Sequence, residues 1–208
     1  MLKLQAIKLP VLLFLAAFTV GCATGPQQTG KVDSTSDNTP ISAPKAKPVK
    51  MSGDARSAYD RALLSAKSGR EQEAMDLFGE MTRKHPGVSL GFTNLGMLQL
   101  RAGKYDAAQQ SLTEAVRLNP GDAVAQNHLG VALREQGQFK QSETAYLTAL
   151  KINDSYANAH LNLGILYDLY LQDLGRALQH YERYQALTGS QDDTVAKWIV
   201  DLERRAKN

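Results

Sequence analysis

The rhythm of apolar and polar positions changes twice along this chain. Leu9 to Val20 is a nearly continuous apolar run, broken only by Pro10 and Thr19. Residues 23–50 then carry almost no large apolar side chain and are rich in Pro, Ser, Thr, Gly and Lys. From Met51 onward the apolar positions recur at helical spacing, punctuated by Gly and Pro, which predicts helices almost throughout. The first runs through Ala55–Leu64 and ends near Ser68-Gly69, and the second covers Glu71–Lys84 before His85-Pro86-Gly87. The plan repeats as Leu90–Ala102 with Tyr105–Leu118, Ala123–Gln136 with Phe139–Ile152, and Tyr156–Leu171 with Leu174–Leu187. After Gly189 a last amphipathic helix puts Val195, Trp198, Ile199 and Leu202 on one face, with Asp192 or Asp193 as its cap. Its opposite face carries Lys197, Asp201, Arg204 and Arg205.

A longer period lies over the helical one. Leu95-Gly96, Leu129-Gly130 and Leu163-Gly164 recur every 34 residues. A small residue follows each glycine 12 positions later in the first two units (Ala108, Ser142) and 13 later in the third (Ala177). A fixed period of this length marks stacked helical hairpins, in which each unit buries its apolar face only against its neighbours. Such arrays are all-α, need a polar-faced cap at the end, and present extended surfaces to other proteins. Packing on the last hairpin is therefore the first role for Trp198, with a ligand anchor as the other reading.

These positions resemble the tetratricopeptide repeat. Gly96, Ala108 and Ala115 fill its small places, with Leu95, Tyr105 and Leu112 as bulky partners and Pro120 closing the unit. Gly130, Ser142 and Ala149 follow with Leu129, Phe139 and Tyr146, and then Gly164 and Ala177 with Leu163, Tyr167 and Tyr181. The first unit keeps Gly69, Ala74, Phe78 and Pro86 but has Arg61-Ala62 in place of Leu-Gly. The resemblance implies a solenoid of about four helical hairpins (about 55–88, 89–122, 123–156 and 157–191, within 51–189) and a capping helix in 190–208. It also implies that first helices line a concave groove, into which the residue before Leu-Gly points. Those residues are Asn94, His128 (preceded by Asn127) and Asn162. A ladder of amides offers donors and acceptors to an extended peptide backbone, although a polar residue there also suits any exposed concave face. Arg101 and Arg134 stand one turn on, where a guanidinium fork suits carboxylates, and Arg56, Tyr59 and Lys67 belong to the same implied face. The lysine clamp of chaperone-binding members is absent, since the corresponding positions hold Thr93, Asn127 and Leu161. Tyr170, beside the extra residue, is the candidate exposed aromatic.

Nothing in the sequence suggests chemistry. The four histidines, His85, His128, His160 and His180, show no short metal-type spacing, and His128 and His160 read better as single polar positions of separate hairpins than as a pair. No phosphate loop or nucleophile elbow occurs, so no enzyme, metal or cofactor is expected. The formal charge is +3, but residues 1–21 contribute Lys3 and Lys8 and no acid, leaving 22 basic against 21 acidic side chains. That balance argues against a charge-driven nucleic-acid role.

The N-terminus reads as an export signal, 1–21, because the apolar run is too short to span a bilayer core of ~30 Å. Cys22, the single cysteine, follows Gly21 directly and resembles the acylated cysteine of a bacterial lipoprotein, although Thr19 stands where such motifs usually have Leu. A plain signal peptide cut after Ala23 is the alternative. Acylation would account for a lone cysteine in an exported chain, and Ala23 after it, where inner-membrane retention has Asp, implies outer-membrane sorting facing the periplasm. Residues 22–50 would then be a flexible tether, spanning roughly 30 Å on average. The layout implies a scaffold in assembly of an envelope complex, with pilotin-like lipoproteins of pilus and secretin machines as the closest class. Adaptors of peptidoglycan hydrolases or proteases, and accessories of energy-transducing TonB-type systems, share the layout. Oligomeric state is not readable.

Overall fold

The computed structural model describes residues 51–189 and 192–207. The expectations for Cys22, the export signal and the tether lie outside the described residues.

Nine α-helices and one π-helical turn make up the described residues, with no strand among them. They pair as α1 (Gly53–Lys67) with α2 (Glu71–Lys84), α3 (Ser89–Arg101) with α4 (Tyr105–Leu118), and α5 (Ala123–Glu135) with α6 (Phe139–Ile152). In the fourth hairpin α7 (Ala157–Ile165) runs into the π-helical turn Leu166–Leu171 and returns as α8 (Leu174–Thr188). The last helix, α9 (Asp193–Arg205), packs on α8. Each hairpin stacks on the next, and first helices also touch one another, α3 on α5 and α5 on α7. Those contacts put the first helices on the inner side of the stack.

Local chemistry sets the helix ends. Ser52, Asp122, Asp173 and Asp192 cap α1, α5, α8 and α9 by accepting from backbone N–H groups one turn in. Within the first three hairpins the connection is one motif used three times. Gly69, Gly103 and Gly137 adopt φ of 73°, 69° and 73°, the left-handed region open to glycine. The next residue's N–H then reaches back five positions: Arg70 to Ser65 O, Lys104 to Gln99 O, Gln138 to Leu133 O, at 3.0, 2.8 and 2.9 Å. This closure satisfies the carbonyls left over at each helix end.

The Leu-Gly pairs are explained by helix crossing. A Cβ on Gly96 would lie 2.5 Å from Leu112 Cγ, one on Gly130 2.5 Å from Tyr146 Cε1, and one on Gly164 2.4 Å from Tyr181 Cδ1 and Cε1. The first helix thus presses its bare backbone against a large side chain of the second, and Leu112, Tyr146 and Tyr181 are buried as a result. In the first hairpin Ala62 takes the glycine's place, and both it and Phe78 are fully buried. At the far end Val195 and Leu202 are buried and Trp198 stands 5.5 Å from the Tyr181 ring, so α9 closes the core it was expected to cap.

The fourth hairpin departs from its neighbours where the spacing is one residue longer. The extra residue is absorbed as a π-helical turn after the Gly164–Tyr181 crossing. The closing bond now spans six positions, Asp173 N–H to Tyr167 O at 2.9 Å, and Gln172 occupies the left-handed turn position at φ 54°.

Candidate peptide-binding face

The inner face can be built from the 34-residue period. Tyr59, Thr93, Asn127 and Leu161 are equivalent positions on the four first helices, and Asn94, His128 and Asn162 lie one residue on. One turn before the first set stand Arg56, Leu90, Val124 and Asn158, and one turn after it Leu63, Met97, Val131 and Ile165.

The polar side chains of this stripe bond largely to one another. Asn94 Nδ2 donates to Leu90 O at 2.8 Å and to Tyr59 Oη at 3.3 Å. Two hairpins later the same relation recurs, with Asn162 Nδ2 donating to Asn127 Oδ1 at 3.0 Å. Both bonds join neighbouring first helices across 35 residues, so these amides staple one hairpin to the next. Between them Thr93 Oγ1 donates to Asp122 Oδ2 at 3.0 Å, while Asp122 Oδ1 caps α5 by accepting from Ala125 N. Burial follows: Tyr59, Asn94, Asn127 and His128 are all buried, and Asn162 is half-buried. One acceptor is left over, since Asn94 Oδ1 is buried and makes no hydrogen bond.

The cations divide. Arg134 is only 4% exposed, donating to Glu135 Oε1 at 3.0 Å and to Asn162 Oδ1 at 3.5 Å. Arg101 is half-buried and pairs with Glu71 at 3.6 Å. They sit five and six residues past their leucines, which turns them onto different faces. Arg56 is exposed at the N-terminal end of the stripe. Half open along the inner face are the aliphatic Leu63, Leu90, Val124, Val131 and Leu161, beside the amides Asn158 and Asn162.

The structure adds a pairing that the sequence reading did not find. His160 meets His180 rather than His128, with Nδ1 to Nδ1 at 2.9 Å, and its Nε2 faces Asp154 O at 3.1 Å. A carbonyl only accepts, so His160 carries its proton on Nε2 and His180 Nδ1–H donates to His160 Nδ1. Burial, the neighbouring His160 and the Arg176 charge pull His180 down to about 4. Burial also lowers His160. His180 stacks on Tyr167, whose hydroxyl donates to Glu143 at 2.7 Å and whose ring lies 4.2 Å from the Arg176 guanidinium carbon. No group of three or more metal-ligating side chains occurs among the described residues. No described helix is long and apolar enough to cross a membrane.

Residues 93–158 and 129–192 match the tetratricopeptide repeat family. The second to fourth hairpins carry the tetratricopeptide repeat pattern, and the first lies outside the match. Among solved structures the fold is similar to MamA (residues 41 to the end) from Desulfovibrio magneticus RS-1, at 24% identity and a TM-score of 0.60, covering 67% of this chain and 78% of that one. It is similar also to YrrB, described as a TPR protein with an unusual peptide-binding site, at 21% identity and a TM-score of 0.61, covering 71% and 74%. A third is the first TPR domain of Spaghetti (RPAP3) bound to the HSP90 peptide SRMEEVD, at 22% identity and a TM-score of 0.55, covering 58% and 94%. At these identities the likeness is one of fold. A comparison with curated proteins returns no match to this sequence. Tetratricopeptide arrays typically serve as scaffolds for protein–protein contact rather than as enzymes.

Proposed function

We propose that this protein is an outer-membrane-anchored periplasmic lipoprotein whose repeat array holds a protein segment against its inner face during assembly of an envelope complex. The observation that carries the binding part is the composition of that face. Its amides and Arg134 are held largely by one another, while Leu90, Val124, Val131 and Leu161 stay half open along successive first helices. A run of aliphatic positions with a rim cation (Arg56) suits an extended or helical segment with apolar anchors. Peptide recognition by the RPAP3 domain and by YrrB supports such a use of the fold.

The anchor rests on Cys22 after an apolar run and on the tether that follows. More than one acyl chain would make the attachment stable. Assembly of a pilus or secretin machine is the envelope role that this layout resembles most closely. The test is a deletion strain complemented with wild-type protein or with Cys22→Ser. The reading requires loss of an envelope assembly on deletion, rescue by the wild type, and release of Cys22→Ser from the membrane fraction or its retention as an unprocessed precursor. Normal envelope assemblies in the deletion strain, or unchanged membrane attachment of Cys22→Ser, overturn it.

A further inference from the structure

The fourth hairpin holds a pair of titratable side chains that its neighbours lack. His160 and His180 face each other between α7 and α8. Allowing for the inserted residue, the equivalent positions are Gln126 and Ala145 in the third hairpin and Phe92 and Ser111 in the second. His160 is 9% exposed and His180 is half-buried. With Nε2–H of His160 on Asp154 O and Nδ1–H of His180 on His160 Nδ1, the neutral pair satisfies three of its four ring nitrogens. His160 therefore ties α7 in two directions, to α8 and to the turn that leads in from α6.

Added protons are poorly received here. One on His180 Nε2 keeps the bond between the rings but sets a cation beside Arg176, whose charge already acts on that ring. On α6, Glu143 is shared among Tyr167 Oη (2.7 Å), Arg176 (2.9 Å) and Lys140 (3.6 Å), and Asp173 is held by Arg176 at 2.7 Å. A second proton must go on His160 Nδ1, where it meets the His180 N–H across 2.9 Å and breaks the bond. Arg183 opposes charge on His160 and Asp154 favours it, and among the described residues no charge of α5 or α9 acts on either ring. Parting α7 from α8 relieves these conflicts. A freed His180 titrates near 6.5, against about 4 in the closed hairpin, so the parted form gains as pH falls below about 6.5.

The same helix reaches the inner face. Leu161 and Asn162 follow His160 directly, and α7 is joined to α5 there by Asn162 Nδ2 to Asn127 Oδ1 at 3.0 Å and by Arg134 Nη1 to Asn162 Oδ1 at 3.5 Å. The His160 bonds hold α7 from its other side. Without them Leu161 loses part of the support that keeps it in line with Val124 and Val131.

We propose that the His160–His180 pair is an acid-operated release for the inner face: protonation parts α7 from α8, and the fourth hairpin lets go of its end of a bound segment. This regulation rests on the inner-face reading given under the proposed function.

The test uses the full-length protein and a displayed random-peptide library built without Asp, Glu or His, with enriched peptides synthesised with blocked ends. Such peptides carry no group that titrates in mild acid. Those selected at about pH 7.5 and lost on Val124→Glu are inner-face binders. Their Kd should rise about tenfold or more by about pH 4.5 for the wild type, and less than about twofold for His160→Gln with His180→Phe. His180→Phe alone replaces the paired variant if thermal melting shows the latter to be poorly folded. In the unliganded wild type, hydrogen exchange corrected for the intrinsic effect of pH should show α7 and α8 losing protection over the same range while α3 and α4 keep theirs. Equal weakening in wild type and variant, or constant protection of α7 and α8, overturns the switch and leaves the inner-face reading intact. If no enriched peptide depends on Val124, the inner-face reading itself fails and the release falls with it.

Discussion

The third and fourth hairpins make the same crossing and then part company. In the third, Gly130 lies bare against Tyr146, α5 stays α-helical to Glu135, and Gly137 turns the chain. In the fourth, Gly164 lies as close to Tyr181, but the following residues widen into a π-helical turn and Gln172 makes the left-handed turn. The pair shows which part of the repeat is rigid. Backbone-to-ring contact at the crossing is buried on both sides and keeps its spacing, while the exposed end of the first helix takes up the inserted residue. The cost is exposure: Leu169 and Tyr170 are 52% and 41% exposed, and Tyr170 reaches back to Phe139, ring centroids 4.8 Å apart. The same turn places Asp168 within 2.9 Å of Arg205, tying the irregular hairpin to α9.

If the crossings are equally rigid, Gly130→Ala and Gly164→Ala should each destabilise by about 2–3 kcal/mol, since the new Cβ overpacks against a buried tyrosine. Thermal unfolding of the two variants measures this. A loss at Gly164 several-fold smaller than at Gly130 would show that the π-helical turn loosens the crossing as well.

Acid should separate the hairpins next. His180 and His160 are both depressed in the folded protein, His180 to about 4, whereas an unfolded histidine titrates near 6.5. The unfolded chain therefore binds more protons between these values. Stability from the pair is present above about pH 6.5 and is lost as pH falls toward 4. Arg176 and Arg183 add to the depression, while the Asp154 carbonyl and carboxylate oppose it at His160. Allowing for solvent at His180, the loss should be about 1–2 kcal/mol. Hydrogen exchange should show it in α7 and α8, and His180→Phe should abolish the pH dependence while the third hairpin is unaffected.

Removing the α9 cap with Asp192→Ala should cost about 1 kcal/mol, because two backbone N–H groups lose their acceptor. The smallest effect is expected at the turn. Gln172→Gly relieves a left-handed conformation that costs a side chain roughly 1 kcal/mol. Part of that gain is returned as unfolded-state entropy, so chemical denaturation should report a stabilisation of about 0.5 kcal/mol or less.

Much of this architecture could be read from residues. The Leu-Gly period and its small and bulky partners identified the hairpins because close helix crossing leaves few residue types acceptable, and Val195, Trp198 and Leu202 marked the cap. The inserted residue was countable between Gly164 and Ala177, but spacing alone does not say whether a helix widens, kinks or ends. The polar stripe was legible as positions rather than as bonds. Asn94, Asn127 and Asn162 could face a ligand or a neighbouring helix, and only the distance between first helices decides how their donors are used. His160 and His180 lie on opposite arms of one hairpin, so no short motif announces them.

The central claim is that the first-helix stripe is the face that holds a protein segment. A photo-crosslinking amino acid placed at Val124 on that stripe, and in a second strain at Thr113 on α4, tests it in living cells. A discrete high-mass adduct from the Val124 position, absent from Thr113 and lost when Leu161 is changed to Glu, is the expected result. No adduct at Val124, or the same adduct from both positions, would contradict it.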